Sequence, residues 1–194
     1  NPKALAANID SYLNKAHLPE INGRVIAVIA PHAGHRYSGQ VASHAFKALD
    51  GLNPNLVVIL SPYHSYTSHQ LLATAHQAYS TPLGNIEINQ AALAELKSAL
   101  DVPITPITHD KEHSLEIELP FLQRVLKNEF KLLPIMVRGQ EPEVAKKLGD
   151  ALATVLKNKN AIIVASTDLS HFYDQRTANA LDREMLKRFE SFAP

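Results

Sequence analysis

Three apolar runs in this sequence lead, within a few residues, to a histidine. Residues 25–30 end at Pro31 and His32. Residues 56–60 continue through Ser61-Pro-Tyr to His64, and residues 161–165 through Ser166-Thr-Asp168-Leu-Ser to His171. If the runs are neighbouring parallel strands, the three imidazoles converge beyond the carboxyl ends of the strands, where open α/β sheets bind ligands. Three imidazoles are a natural donor set for Zn, Fe or Cu, with one position left for water or substrate. Asp168, three residues before His171, is placed to add a ligand or to orient a histidine through its second ring nitrogen. The competing reading is that each histidine satisfies a backbone carbonyl at a strand end. Three of them on one topological edge weigh against it.

A second group is Glu112-His-Ser-Leu-Glu116. On a helix over 112–127, His113 and Glu116 are one turn apart, away from the stripe of Leu115, Leu119, Leu122 and Leu126. There they line the pocket as general acid or base, or else they form an exposed helix start with a favourable acidic first turn. Gly34 and Gly39 flank Arg36 ahead of a helix. Such a turn can cradle an anion, but it reads more simply as a plain strand-to-helix connection. His17, His44, His69, His76 and His109 read as surface or structural groups, and His35 stands out only because it adjoins His32.

These residues need a frame. The runs 25–30, 56–60 and 161–165 lack polar alternation, the pattern of strands covered on both faces, so all three are expected as inner strands. Looser alternation marks 71–79, and strands are expected at 85–88, after the turn Thr81-Pro-Leu-Gly84, and at 131–137. Helices are expected at 2–14, 38–49, 89–100, 112–127, 141–156 and 175–189. Ser38 and Asn89 serve as N-caps, and Val41, Ala45, Phe46 and Leu49 point inward. Pro120 predicts a kink or a late start in the fourth helix. Strands alternating with helices predict a three-layer α/β/α sandwich with a central, mostly parallel sheet, one domain over residues 1–194.

Composition narrows the function classes. A chain of 194 residues buries roughly 70% of its unfolded surface and needs no covalent staples. There is no cysteine, so these residues offer neither a disulfide nor a thiolate ligand, which suits a reducing, cytoplasmic setting. Nineteen Lys and Arg balance nineteen Asp and Glu without a basic run, leaving no footprint for nucleic acid or an anionic membrane. The apolar runs are far too short to span a bilayer. Ten histidines form no tag-like cluster, so position must decide which of them matter.

Read together, five segments resemble the Memo family, which includes protein B of the AmmeMemoRadiSam system. They are Ile29-Ala-Pro-His-Ala-Gly34 with Tyr37-Ser-Gly39, Ser61-Pro-Tyr-His64, Thr81-Pro-Leu-Gly84, Glu112-His-Ser-Leu-Glu116 with Leu119-Pro120, and Ser166-Thr-Asp-Leu-Ser-His171. They occur in the family's order and span most of the chain. The resemblance implies a fold similar to the class III non-haem iron extradiol dioxygenases, with His32, His64 and His171 matching family metal ligands. It implies a further cysteine ligand towards the C-terminus, beyond Pro194, and a first motif ahead of residue 1, so the chain is expected to be truncated at both ends. It also implies AMMECR-type and radical SAM proteins as partners.

The leading expectation is a metal pocket for redox or oxygenase-type chemistry on a small molecule. His32, His64 and His171 bind a divalent transition metal (Fe, Cu or Zn), Asp168 supports them, and His113 with Glu116 moves protons. The alternative is a non-catalytic module that holds a peptide or partner protein in the same cleft. A zinc hydrolase is disfavoured because no His-Glu-x-x-His pattern is present.

Overall fold

The computed structural model describes residues 1–192. Helix α1 (Pro2–Lys15) is capped by the Asn1 side chain and buries Ile9 and Leu13. Strand β1 (Ala27–Ala30) leads into α2 (His35–Lys47), and β2 (Leu56–Pro62) follows. β3 (Leu71–Thr74) precedes a hairpin of β4 (Ala78–Thr81) and β5 (Gly84–Glu87), turned at Pro82 and Leu83. Next come α3 (Gln90–Ala99), capped by Asn89, then β6 (Ile104–Ile107) and a 3-10 turn over Glu116–Glu118. The chain continues through α4 (Leu119–Val125), β7 (Lys131–Val137), α5 (Pro142–Leu156), β8 (Ala161–Ser166) and α6 (Gln175–Ser191).

The main sheet runs in the order β1-β8-β2-β7-β3-β6. Every pairing in it is parallel except β3 against β7. One face packs on α1, α2 and α4 around Phe46 and Phe121, whose rings stack at 4.9 Å. The other packs on α3 and α5 around Leu96, Leu133, Ile135 and Leu148. This is the expected three-layer α/β/α sandwich. Among the described residues, no helix is long and apolar enough to cross a membrane.

Pro134 stands inside β7, between two strands, where a missing N–H would normally break a ladder. Lys131 donates its N–H towards β2, to Asn55, and Arg138 donates towards β3, to Gln70. By alternation the Pro134 nitrogen faces the β3 side. There β7 pairs with β3 at Met136 and Val137 and bridges to Ile88 at Leu132, leaving Pro134 between the two contacts, so no bond is lost.

Several expectations are corrected. The run 25–30 is not an inner strand: it shortens to four residues and lies at the sheet edge. Only one of its faces is closely covered. Val28 and Ala30 pack against the α2 layer, whereas Ala27 and Ile29 on the other face are exposed, Ile29 by 45%. Beside Ile29 and Ala165, α6 leaves a cavity of about 660 Å³ and buries none of its own residues. Helix α2 starts at His35 with Gly34 as N-cap, not at Ser38, whose hydroxyl instead donates back to the Ala33 carbonyl. Val41 faces solvent, and the buried face runs through Gly39, Ala42, Ser43 and Phe46 instead. The earlier start brings Gly39 against α1, where an added Cβ would lie 2.9 Å from the Tyr12 ring. The helix expected from residue 112 begins only at the 3-10 turn, with Pro120 in the first turn of α4. That is the late start its fixed φ favours. Leu115, Leu119, Leu122 and Leu126 are all buried, as their spacing requires. β6, flanked and interrupted by Pro103 and Pro106, was not expected.

Candidate metal centre

The loops after β1, β2 and β8 meet at the carboxyl edge of the sheet. They do so because β8 lies between β1 and β2, with Ala30 level with Ser166 and Leu60 level with Ala165. They enclose a cavity of about 600 Å³ lined by His32, His64, His113, Asp168 and His171 among others.

His32 is 3% exposed. Its backbone N–H donates to Asp168 Oδ1 at 2.8 Å, and its Nδ1 lies 3.0 Å from Ser166 Oγ. The Ser166 hydroxyl already donates its one proton to the Ser114 carbonyl at 2.6 Å. Towards His32 it can only accept, so Nδ1 carries the ring proton and Nε2 keeps its lone pair. Burial, ahead of the opposing pull of Asp168, lowers the His32 pKa and favours the neutral ring.

Glu112 organises the second wall. It accepts the backbone N–H groups of His64, His113 and Ser114 at 2.6, 2.9 and 3.0 Å, and His64 Nδ1 at 2.8 Å. Burial alone would raise this carboxyl, but the hydrogen bonds from His64 and Ser114 outweigh it and pull the pKa down to about 2. The group is therefore an anion, and it fixes the His64 proton on Nδ1 as well. Ser114 ties the parts together. Its N–H binds Glu112, its hydroxyl donates to the Pro62 carbonyl at the end of β2, and its carbonyl takes the Ser166 proton from β8.

The rings of His32, His64 and His113 form a cluster. Their centroids are 5.4 Å apart for His32–His64, 5.9 Å for His32–His113 and 5.1 Å for His64–His113. A metal–nitrogen bond of ~2.0–2.1 Å puts a ring centre about 3.2 Å from the ion, so three imidazoles on a tetrahedral ion have centres about 5 Å apart. The observed centroid spacings are of that order or somewhat larger. His64, Glu112 and His113 also offer ligand atoms within 4.8 Å of one another, a group that could hold a metal ion. Since four donors already occupy Glu112, it suits the task of orienting rings better than that of a ligand.

Each residue singled out by sequence has a definite place. His32, His64, His113, Asp168 and His171 all line the cavity. His171 stands at its mouth, half exposed, with Nε2 3.5 Å from Asp168 Oδ2; His32 Nε2 is 3.8 Å from the same oxygen. His113 therefore occupies the position in the ring cluster that the sequence reading gave to His171. Glu116 is exposed and does not line the cavity. The 3-10 turn breaks the helical spacing that paired it with His113. The acidic groups that matter nearby are Glu112 and Glu118, both buried. His35 binds the Ile117 carbonyl at 2.8 Å, and His17, His44, His69, His76 and His109 are exposed.

Comparison with known proteins agrees with the motifs. The family model described as Memo-like protein matches residues 1–194. A MEMO1 family protein of Nitrosopumilus maritimus is 35% identical over 167 residues, covering 86% of this chain and 61% of that protein. One of Methanopyrus kandleri is 34% identical over 185 residues, covering 91% and 65%. One of Aquifex aeolicus is 37% identical over 164 residues, covering 84% and 61%. The chain thus spans less than two thirds of the length of these relatives. On the whole-length family match and these relatives together, this chain belongs to the Memo-like protein family.

Proposed function

We propose that this protein holds one divalent transition metal, iron, copper or zinc, on His32, His64 and His113, and that the site serves redox or oxygenase-type chemistry on a small molecule. The observation that carries this reading is the ring cluster, with His32 and His64 tied at Nδ1 so that their Nε2 atoms are unprotonated. A cavity of about 600 Å³ is of the size used for small molecules rather than for a folded partner. Bound iron or copper would supply redox chemistry there, and zinc would supply Lewis acidity. The chain's own residues do the rest. Ser166 and Glu112 hold the rings in one tautomer. Asp168, between the Nε2 atoms of His32 and His171, accepts and returns protons, and half-exposed His171 exchanges them with solvent. Glu116 has no part in this reading.

Elemental analysis after anaerobic purification, followed by metal titration of the purified protein, tests it. The expected result is about one ion per chain, with His32→Ala and His64→Ala each removing most of the affinity while circular dichroism is unchanged. A protein that takes up no divalent ion under these conditions, yet binds peptide equally well with and without the His32 ring, supports the non-catalytic module instead.

A further inference from the structure

The metal reading uses three of the strands that end at this cavity and leaves a fourth unused. β7 lies beside β2 with Val137 level with Pro62, and Tyr63 donates its N–H to the Val137 carbonyl at 3.0 Å. Arg138 is the first residue past β7, so it stands at the same sheet edge as Tyr63 and His64. Its own N–H donates to the Gln70 carbonyl at 2.8 Å, which anchors the backbone at this point. Arg138 lines the cavity together with the histidines and Asp168.

The side chain is incompletely paired. The Arg138 Nε is enclosed and has no hydrogen-bond partner. The arginine ion pairs among the described residues belong to Arg124 and Arg188, not to Arg138. Asp168, the acidic group of the cavity wall, is committed to the His32 N–H and lies between His32 and His171. A guanidinium stays charged at any physiological pH and offers its N–H groups as a planar fork. An enclosed N–H left without an acceptor is costly and uncommon in native proteins. The Nη groups are not among the enclosed atoms and have no ion-pair partner among the described residues, and the fork they form suits an oxyanion held by two parallel hydrogen bonds. Tyr63, Val137, Leu169 and Phe172 also line the cavity.

We infer that Arg138 is the anchor for the oxyanion group, carboxylate or phosphate, of a small ligand whose remaining atoms reach towards the histidines. The inference rests on the proposed metal reading only for where the ligand's reactive end lies. The anion subsite itself stands on Arg138 and its place at the end of β7. Sequence alone gave no reason to single out Arg138, because it follows a strand without any neighbouring metal-donor residue.

Benzoate, phenyl phosphate and the neutral benzamide serve as probes. Each is titrated into the full-length protein, first kept metal-free with a chelator and then saturated with Zn²⁺. Binding is read by calorimetry and by amide chemical-shift changes. At least one anion should bind in both forms while benzamide does not. Arg138→Gln should weaken that binding by about 10–100-fold, the loss of a charged hydrogen-bonded pair, and Arg138→Lys should retain part of it. The order of benzoate and phenyl phosphate identifies which oxyanion the subsite takes. Anion binding that is equal in Arg138→Gln and wild type, or absent altogether, overturns the inference. So does binding that needs zinc and ignores the arginine, or benzamide binding as tightly as benzoate. Because the chelated protein is included, Arg138-dependent anion binding in a protein that takes up no metal upholds the subsite and removes only the metal reading.

Discussion

Ser166 Oγ lies 3.0 Å from Nδ1 of His32 and spends its own proton on the Ser114 carbonyl. One hydroxyl thereby fixes the tautomer of a buried ring. Removing the acceptor frees His32 to move its proton to Nε2, the edge that faces the cavity. Ser166→Ala should therefore lower divalent-metal affinity by about 10–100-fold, as losses of groups that orient metal-binding histidines do. Ser166→Thr keeps a hydroxyl and should restore most of it. Long-range proton–nitrogen NMR on the metal-free protein reads the tautomer directly: wild type should show the proton on Nδ1, and Ser166→Ala a mixture. A single unchanged tautomer in Ser166→Ala would count against this role.

Glu112 is more than a partner of His64, because three backbone N–H groups of two separate loops end on it. Glu112→Gln keeps the shape but replaces one acceptor oxygen with an NH₂ group that faces donors. Folding stability at pH 7 should fall by about 2–3 kcal/mol, since hydrogen bonds to a charged group are lost and one donor is left unmade. Chemical denaturation measures this. Metal affinity should fall in the same variant. A stable protein with weakened metal binding would limit Glu112 to orienting His64.

How far the sequence foretold this site depended on whether backbone geometry could be read from it. His32, His64, Asp168 and His171 were legible because each follows an apolar strand, and parallel strands bring their carboxyl ends to one edge. Glu112 and Glu118 were not. Choosing among Glu112, Glu116 and Glu118 requires knowing where helical backbone starts, and Pro120 moves that start beyond all but the 3-10 turn. The sheet order was equally hidden. The run 25–30 is as apolar as a central strand, but it lies at the sheet edge with Ile26 and Ile29 exposed, and no periodicity separates those cases. β6 was masked by Pro103 and Pro106, residues that an edge strand tolerates.

Glu118 supplies a pH test independent of metal. It is 1% exposed, and burial, aided by the Asp168 charge, pushes its pKa from 4.5 up to about 8. The folded state thus holds this proton more tightly than the unfolded chain. Its contribution to stability is complete below pH 4.5 and is lost as pH rises towards 8. Glu118→Gln cannot lose a proton there. Relative to wild type, the variant should gain stability steadily between pH 5 and 8, by at most about 1.4 kcal/mol per pH unit. Urea unfolding at several pH values reads the difference, and parallel curves for the two proteins would show that Glu118 does not titrate in this range.

The division of labour between His113 and His171 separates the geometric reading from the motif reading. His113 stacks on His64 at a centroid distance of 5.1 Å and an interplanar angle of 17°, and it also lies 5.9 Å from His32. His171 touches the cluster only through Asp168. If His113 is the third ligand, His113→Ala should weaken cobalt binding by at least about tenfold and change the visible spectrum of the bound ion, because losing a nitrogen donor alters the ligand field. His171→Ala should leave both nearly unchanged while slowing whatever turnover the loaded protein supports. The reverse pattern, with the spectrum altered by His171→Ala and preserved in His113→Ala, would return His171 to the metal and leave His113 as a ring that packs against it. Cobalt titration of the two variants side by side decides between them, because the readout follows the ligand set and needs no knowledge of the substrate.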